Sequence, residues 1–472
     1  MTSTNGPDGL GDTLTVAGVC EAIWDTEREL GLLDWKVRGV AVWPIVRMRV
    51  FHDLTRRSGL LGDPHPVRRT TGDKLRLIGR HLVALVRHNP FLRHRSYDAA
   101  VVPHHRKLDG VEIYSAQLRA ELGDRALILD SNINGVALPG ADTLDFFTSF
   151  AGFRGRLRQR LGQRMGRRDL TVPESERVTA IEDALDKRLG VRVPLTGLVG
   201  RELTKHLALR RLYRSLLRRR GIQTLYVVVG YFHQHVVAAA RDLGIRVVEL
   251  QHGTITPYHL GYSYPGSPAV PDQPDELWCF GPYWAETVDL PGGTTTRVIG
   301  APFVPRLTPE QLVAKDPALV VFVSQGTTGQ RLLPVATKLA ELRPELSVVF
   351  RLHPSEHRSD YTAGVVAGPD NVRLSGGRAT PGVDAPVEST YDLMAAATYL
   401  AGVSTTALFE GMVLGCRTIV VDLAGAEYMA PAVERGDAIS VGDAAELARR
   451  LDDAPLCANA DAYYAPAPAR IL

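Results

Sequence analysis

The stretch LAGVSTTALFEGMVLGCRTIVVDL, residues 400–423, decides how the chain is read. Residues 400–403 form a short apolar run, the pattern of a buried strand. Ser404, Thr405 and Thr406 follow it. A helical pattern then opens at Ala407, and Gly415 stands where a helix closes on a left-handed residue. Residues 418–423 make a second apolar run. The whole reads as one βαβ unit whose turn gathers free backbone N–H groups and the positive end of a helix dipole. Such a turn can hold a phosphate. Glu410, on the second turn of the helix, is placed to accept hydrogen bonds from ribose hydroxyls. Ser404 has a second reading as a plain helix cap, and the stretch alone does not separate the two.

Outward from this unit the chain keeps alternating. Strand-like runs at 97–103, 126–130, 224–229, 246–250, 277–280 and 297–299 are separated by helical patterns. Residues 300–317 hold four prolines and read as a linker. A second series follows: a strand at 318–323, the loop 324–329, a helix at 330–342, and a strand at 347–352 ending in His353-Pro354. Residues 376–388 read as a polar loop, and 438–451 add a strand and a helix. Alternation of this kind predicts parallel sheets with right-handed crossovers. Ahead of it, residues 15–59 look helical, anchored by Trp35 and Trp43. Residues 74–88 are amphipathic, with Leu75, Ile78, Leu82 and Leu85 on one face and Arg76, Arg80 and Arg87 on another. A core-facing helix with a solvated basic side is the favoured reading; a helix resting on a membrane surface is the other.

A chain of 472 residues is too long for one core. The divisions expected are a helical extension at 1–95 and two α/β domains at 96–305 and 306–472. The chain has no run of eighteen apolar residues, and its first residues, MTSTNGPDGLGDT, are not a signal sequence. A cytoplasmic protein is expected. The four cysteines have no metal-ligand spacing and read as free thiols. The net charge of +3 hides a gradient: residues 36–95 carry fourteen Lys/Arg against three Asp, whereas 384–472 carry five Arg against thirteen Asp/Glu. A basic first half suits an anionic acceptor or the anionic inner face of a membrane. Nucleic acid is not an expected partner.

In parallel α/β sheets ligands bind beyond the carboxyl ends of the strands. In the second half those ends carry Ser324, Gly326, Thr327 and Thr328, then His353, then Ser404–Thr406, all groups suited to phosphate. In the first half they carry His104, His105, His233, His235 and His252, the usual bases near neutral pH. Arg351, two residues before His353, is a further candidate for the phosphate. One lobe that grips anions and one that supplies bases suit group transfer in a cleft.

The pairs His252-Gly253 and His353-Pro354 and the helix start Ser404–Thr406 resemble the GT-B glycosyltransferases. The likeness is greatest to the branch of capsule-polysaccharide, teichoic-acid and sialyltransferase-like enzymes. It implies two Rossmann-like domains facing a cleft, acceptor domain first and nucleotide-sugar domain second. It also implies a metal-independent transfer with no cofactor beyond the nucleotide-sugar co-substrate, a CMP-sugar being one candidate. The acceptor would be a surface polysaccharide or lipid-linked glycan. Carried over, His252 takes the acceptor's proton, His353 bonds the leaving phosphate, and Ser404 with Thr405 holds it. Two departures stand out. The turn Thr254-Ile255-Thr256-Pro257-Tyr258 lacks the lysine that polyol-phosphate transferases carry there. Only Asp109-Gly110 is present where sialyltransferase-like enzymes have an acidic pair, so Asp109, His104 and His105 compete with His252 as the base. A nucleotide-sugar 2-epimerase, a polyol-phosphate transferase and a non-catalytic glycan scaffold are the alternatives.

Overall fold

The structure, a computed structural model, describes residues 14–62, 70–104, 111–131, 138–164, 170–366, 368–378 and 388–472. The first sheet contains β1 (Ala99–Val102), β2 (Ala126–Ile128), β3 (Thr224–Val228), β4 (Arg246–Leu250), β5 (Glu276–Cys279) and β6 (Thr295–Val298). Its order is β2-β1-β3-β4-β5-β6, parallel throughout. The second contains β7 (Asp316–Val323), β8 (Ser347–His357), β9 (Val372–Arg378), β10 (Ala397–Gly402), β11 (Arg417–Val421) and β12 (Ile439–Val441). Its order is β9-β8-β7-β10-β11-β12, again parallel. Central strands such as β7 and β11 are apolar runs buried on both faces, as sheets covered by helices on both sides require. These are two Rossmann-like sheets, the GT-B architecture that the resemblance implied.

Each order contains a reversal. The chain runs outward from β1 to β2 and returns beside β1 as β3; likewise β10 returns beside β7. A crevice opens beyond the strand ends at such a switch point. In the first sheet it falls at His104 and the segment 229–235. In the second it falls at the loop 324–329 and at Ser404–Thr406.

The N-terminal helices α1 (Val16–Leu30) and α2 (Val42–Arg57) share a core with two later helices of the first lobe, and Trp35 and Trp43 lie inside it. α3 (Thr71–Arg87) and α4 (Asp145–Arg164) pack together at the other side of that lobe, followed by α5 (Val172–Leu189) and α6 (Thr196–Arg220). The buried Arg47 guanidinium pairs with Glu27 and also donates to the carbonyls of Leu260 and Ser263. It therefore fastens α2 to the loop after β4. The extension also reaches the second lobe. The Gly62 N–H donates to the Thr327 carbonyl at 3.1 Å, and Arg331, near the start of α7 (Gly329–Leu342), donates to the carbonyls of Gly59 and Leu60.

Several expectations change. β9 occupies Val372–Arg378, so residues 376–378 are strand where a loop was expected; residues 379–387 lie outside the described residues. β8 continues past His353-Pro354 to His357 with a register irregularity after Leu352. α3 does not bury the Leu75 face. Leu75, Ile78 and Leu82 are exposed, and the helix docks on the narrower row Leu77, His81, Ala84 and Leu85. The arginines of α6 are partly structural: Arg210 pairs with Asp242, and Arg220 donates to the carbonyls of Pro90, Phe91 and Arg95. The C-terminal tail turns back to the first lobe, where the Ala465 N–H donates to the Phe280 carbonyl and the Ile471 N–H to Glu121. All four cysteines are free. Among the described residues no helix is long and apolar enough to cross a membrane.

Candidate functional site

α8 (Thr406–Val413) begins one residue earlier than the sequence pattern suggested, and its cap is Thr405. The Thr405 hydroxyl accepts from the Ala407 N–H at 3.4 Å. Ser404 is thereby released from the capping role. Its carbonyl accepts from the Gln325 side-chain amide, so the two phosphate-type turns of the second lobe are tied together. Gly415, at φ +70°, ends the following turn as expected, in a conformation that costs glycine little.

These turns face the first lobe across a cleft of about 300 Å³. It is lined by His252, Gly253, Thr254 and His259 from one side and Gln325, Gly326, His353 and Ser404–Thr406 from the other. The sides come close: a Cβ added at Gly253 would sit 4.0 Å from the Thr406 methyl. The structure thus brings His252, His353, Gly326, Ser404, Thr405 and Thr406 to one place. Other candidates are set elsewhere. Ser324 is buried and its hydroxyl donates to Glu356 at 2.9 Å; Thr328 is buried at the start of α7. Thr327 is engaged through its carbonyl by Gly62. Arg351 turns to the hydroxyls of Thr390 and Ser375 at 3.1 Å each, and burial lowers its pKa. Glu410 does not line the cleft; its charge acts on the buried Tyr464. Asp109 and His105 lie outside the described residues.

Hydrogen bonding fixes what the imidazoles offer. The His353 Nδ1 accepts from the Ser355 N–H at 3.1 Å, which leaves Nε2 as the nitrogen carrying the proton. His353 is a hydrogen-bond donor. The same argument holds for His259, which sequence reasoning did not single out. Its Nδ1 accepts from the Gly261 N–H at 3.1 Å, and burial pushes its pKa down to about 4, so it is a neutral donor at physiological pH.

His252 has the opposite polarity. The buried Glu249 carboxylate accepts the Tyr262 hydroxyl proton at 2.8 Å and the Gly230 N–H at 2.8 Å. The Tyr262 oxygen, its proton committed to Glu249, stands 3.3 Å from His252 Nδ1 and accepts from it. Nδ1 then carries the hydrogen, and Nε2, 3.5 Å from the Tyr231 hydroxyl, keeps its lone pair. That is the tautomer a general base needs. Glycine at 230 leaves room for this arrangement, because a Cβ there would press on the Glu249 carboxylate. The preceding Val229 has φ +63°, a strained conformation for a β-branched residue, at the end of β3. The sequence signal for this chain of contacts was an acid, Glu249, among the apolar residues Val247, Val248 and Leu250.

Burial pushes Glu249 up to about 7. A carboxyl in that state can donate to Tyr262, whose own proton then turns to His252 Nδ1 and moves the imidazole hydrogen to Nε2. Activity that depends on the base is expected to fall as pH drops through about 7. In Glu249→Gln that limb should move or vanish, with kcat lowered about 10- to 100-fold, as for other residues that orient a reacting group. A pH–rate profile of both proteins checks this; superimposable profiles would refute it. The sign for stability is separate. The neutral Glu249 carboxyl contributes stability fully below the ordinary carboxylate range, and that contribution is lost as pH rises through about 7.

His104, two residues after β1, stacks on His252 with ring centroids 5.4 Å apart. It also lines a second cavity of about 300 Å³ in the first lobe, together with Asp130, Asp145, Lys205, His233 and His235. Among the described residues no group of three or more His, Cys, Asp or Glu could hold a metal ion.

No protein-family model matches the chain, and no curated protein matches it. Solved structures similar to it include the spinosyn forosaminyltransferase SpnP, at 14% identity over 77% of this chain and 93% of that one, with a TM-score of 0.41. Another is Anabaena Alr3699/HepE in complex with UDP, at 14% identity over 78% and 93%, with a TM-score of 0.39. A third is the Methanocaldococcus jannaschii UDP-GlcNAc 2-epimerase in complex with UDP-GlcNAc and UDP, at 10% identity over 75% and 92%, with a TM-score of 0.40. Likeness at this level carries no argument about chemistry, which rests on the cleft itself.

Proposed function

We propose that the chain is a metal-independent GT-B glycosyltransferase that moves a sugar from a nucleotide-activated donor to a surface-polysaccharide or lipid-linked glycan acceptor. One observation carries the reading: an imidazole poised as a base and an imidazole poised as a donor line one cleft, the second beside a helix start. The donor's diphosphate or phosphate lies against Ser404, Thr405, the first N–H groups of α8 and the His353 Nε2–H. The acceptor reaches the anomeric carbon from the first-lobe cavity lined by His104, whose ring stacks on His252. The His252 Nε2 takes the acceptor hydroxyl's proton, and the acceptor oxygen bonds to the anomeric carbon. The bond from that carbon to the phosphate oxygen breaks, its electron pair leaving on the phosphate. Donors fixed before the charge develops lower the barrier most, and the helix start, His353 and His259 are such donors.

The finer reading, a capsule-polysaccharide, teichoic-acid or sialyltransferase-like enzyme at the cytoplasmic face of the plasma membrane, rests on the His252-Gly253, His353-Pro354 and Ser404–Thr406 motifs. A CMP-sugar donor belongs to that reading.

A thermal-shift panel of UDP, GDP, CMP and CDP tests the donor site, because a ligand bound only by the folded state raises its Tm. One nucleotide should stabilise the protein. A Ser404→Ala, Thr405→Ala double variant should bind it about 100-fold more weakly by calorimetry, the effect of losing two hydrogen bonds to a charged group. No response to any nucleotide would replace the transferase with a glycan-binding scaffold. Isomerised sugar from donor alone, followed by NMR, would replace it with a 2-epimerase. Transfer of a polyol phosphate would replace the sugar.

A further inference from the structure

The first lobe carries an apolar surface that none of the described residues covers. α3 starts firmly, with Thr70 and Asp73 forming a reciprocal cap, and docks through Leu77, His81, Ala84 and Leu85. Its opposite side is apolar rather than polar. Leu75 is 65% exposed, Ile78 56%, Leu82 50% and Val86 72%. Successive residues advance about 100° around a helix, so these four fall on one stripe, whereas Arg76, Arg80 and Arg87 form a row along its flank. α4, packed on α3, repeats the pattern with Phe150, Phe153 and Leu157, all exposed and spaced three and four residues apart. The sequence of both helices is strongly basic. Residues 70–95 contain six Lys/Arg against Asp73 alone, and α4 contains five Arg against Asp145 alone.

A surface with an apolar stripe and a row of arginines fits one occupant: the headgroup region of an anionic phospholipid bilayer. There the apolar side chains enter the acyl boundary and the guanidiniums stay among the phosphates. We infer that α3 and α4 together form a membrane-docking face that seats the first lobe on an anionic bilayer. Charge complementarity selects this occupant over a second copy of the chain, because two such faces would set arginine rows against each other. The placement also serves the cleft. Asp145 and Thr148, in the first turn of α4, line the cavity of His104, whose ring stacks on the cleft's His252, and the exposed Phe150 and Phe153 lie on the next turns. A lipid-linked acceptor held in the bilayer would thus enter at the end of the helix that touches it. That last point rests on the transferase reading; the docking face does not.

Flotation with vesicles of phosphatidylcholine alone, and of phosphatidylcholine with phosphatidylglycerol, tests it without turnover. The protein should float with the anionic vesicles, less so at high salt, and at least tenfold less with phosphatidylcholine alone. A Leu75→Ser, Ile78→Ser, Leu82→Ser variant should bind at least tenfold more weakly with an unchanged circular dichroism spectrum. Arg76→Gln and Arg80→Gln should each cost on the order of fivefold on anionic vesicles only. Absence of flotation, or equal binding by the triple variant, would overturn the proposal. So would a wild-type dimer in sedimentation that the triple variant dissolves, since the occupant is then a second copy. A protein that binds vesicles but transfers no sugar keeps the docking face and sinks the transferase reading.

Discussion

His252→Ala is expected to lower kcat for sugar transfer by about 10³-fold, within the range that general-base catalysis supplies, while leaving the donor's affinity within about twofold. The reason is the division of labour in the cleft. In the proposed transfer His252, on the first lobe, accepts the acceptor's proton, so its loss leaves the donor's phosphate contacts in place. Steady-state transfer at saturating donor, with donor Kd by calorimetry, checks both halves. His104 stacks at 5.4 Å and is the nearest described imidazole able to substitute. If His252→Ala keeps its rate and His104→Ala loses it, the base is His104. If both keep it, Asp109 and His105 come forward. A lost donor affinity would mean that His252 touches the nucleotide and is not the base.

The second large effect is at His353. Its donor nitrogen is defined by the Ser355 N–H on the other side of the ring, and the Glu356 carboxylate accepts the His353 backbone N–H at 2.6 Å. This geometry is set before any ligand arrives. Removing one preorganised donor to a developing charge costs about 10²- to 10³-fold. His353→Ala is therefore expected to lose that factor in kcat/KM. Part of the loss should appear as weaker nucleotide binding, because the leaving phosphate is already charged in the ground state. His353→Asn, which keeps an N–H donor of similar reach, should recover some of the rate; His353→Phe should recover none. Full activity in His353→Ala would remove the phosphate role from this residue.

Much of this was legible along the chain. Apart from β9, the strands of both sheets lie within a few residues of their expected positions, because each is a run of apolar residues bounded by turns and needs nothing distant to define it. The boundaries that moved did so where a short-range rule met a tertiary contact. Thr405 took the cap because Ser404 is drawn to Gln325, 79 residues away. β9 formed because Val372–Arg378 pairs along β8, although its two glycines read as loop.

The exposed stripe of α3 shows the other side. Periodicity found an amphipathic helix, but a hydrophobic face does not say what covers it. The helix has two apolar rows, and the fold spent the one containing Ala84, where close approach to α4 is sterically cheap.

The sequence by itself determined two α/β lobes and the chemical types at their strand ends, since periodicity of two and of 3.6 is a local property. Which of those ends meet was decided only in three dimensions. The reversal of strand order beside β1 and β7 sets two crevices opposite each other, and Glu249, through Tyr262, chooses the nitrogen of His252 that remains basic. A proton's position on a ring depends on neighbours brought together by folding, and spacing along a chain does not contain it.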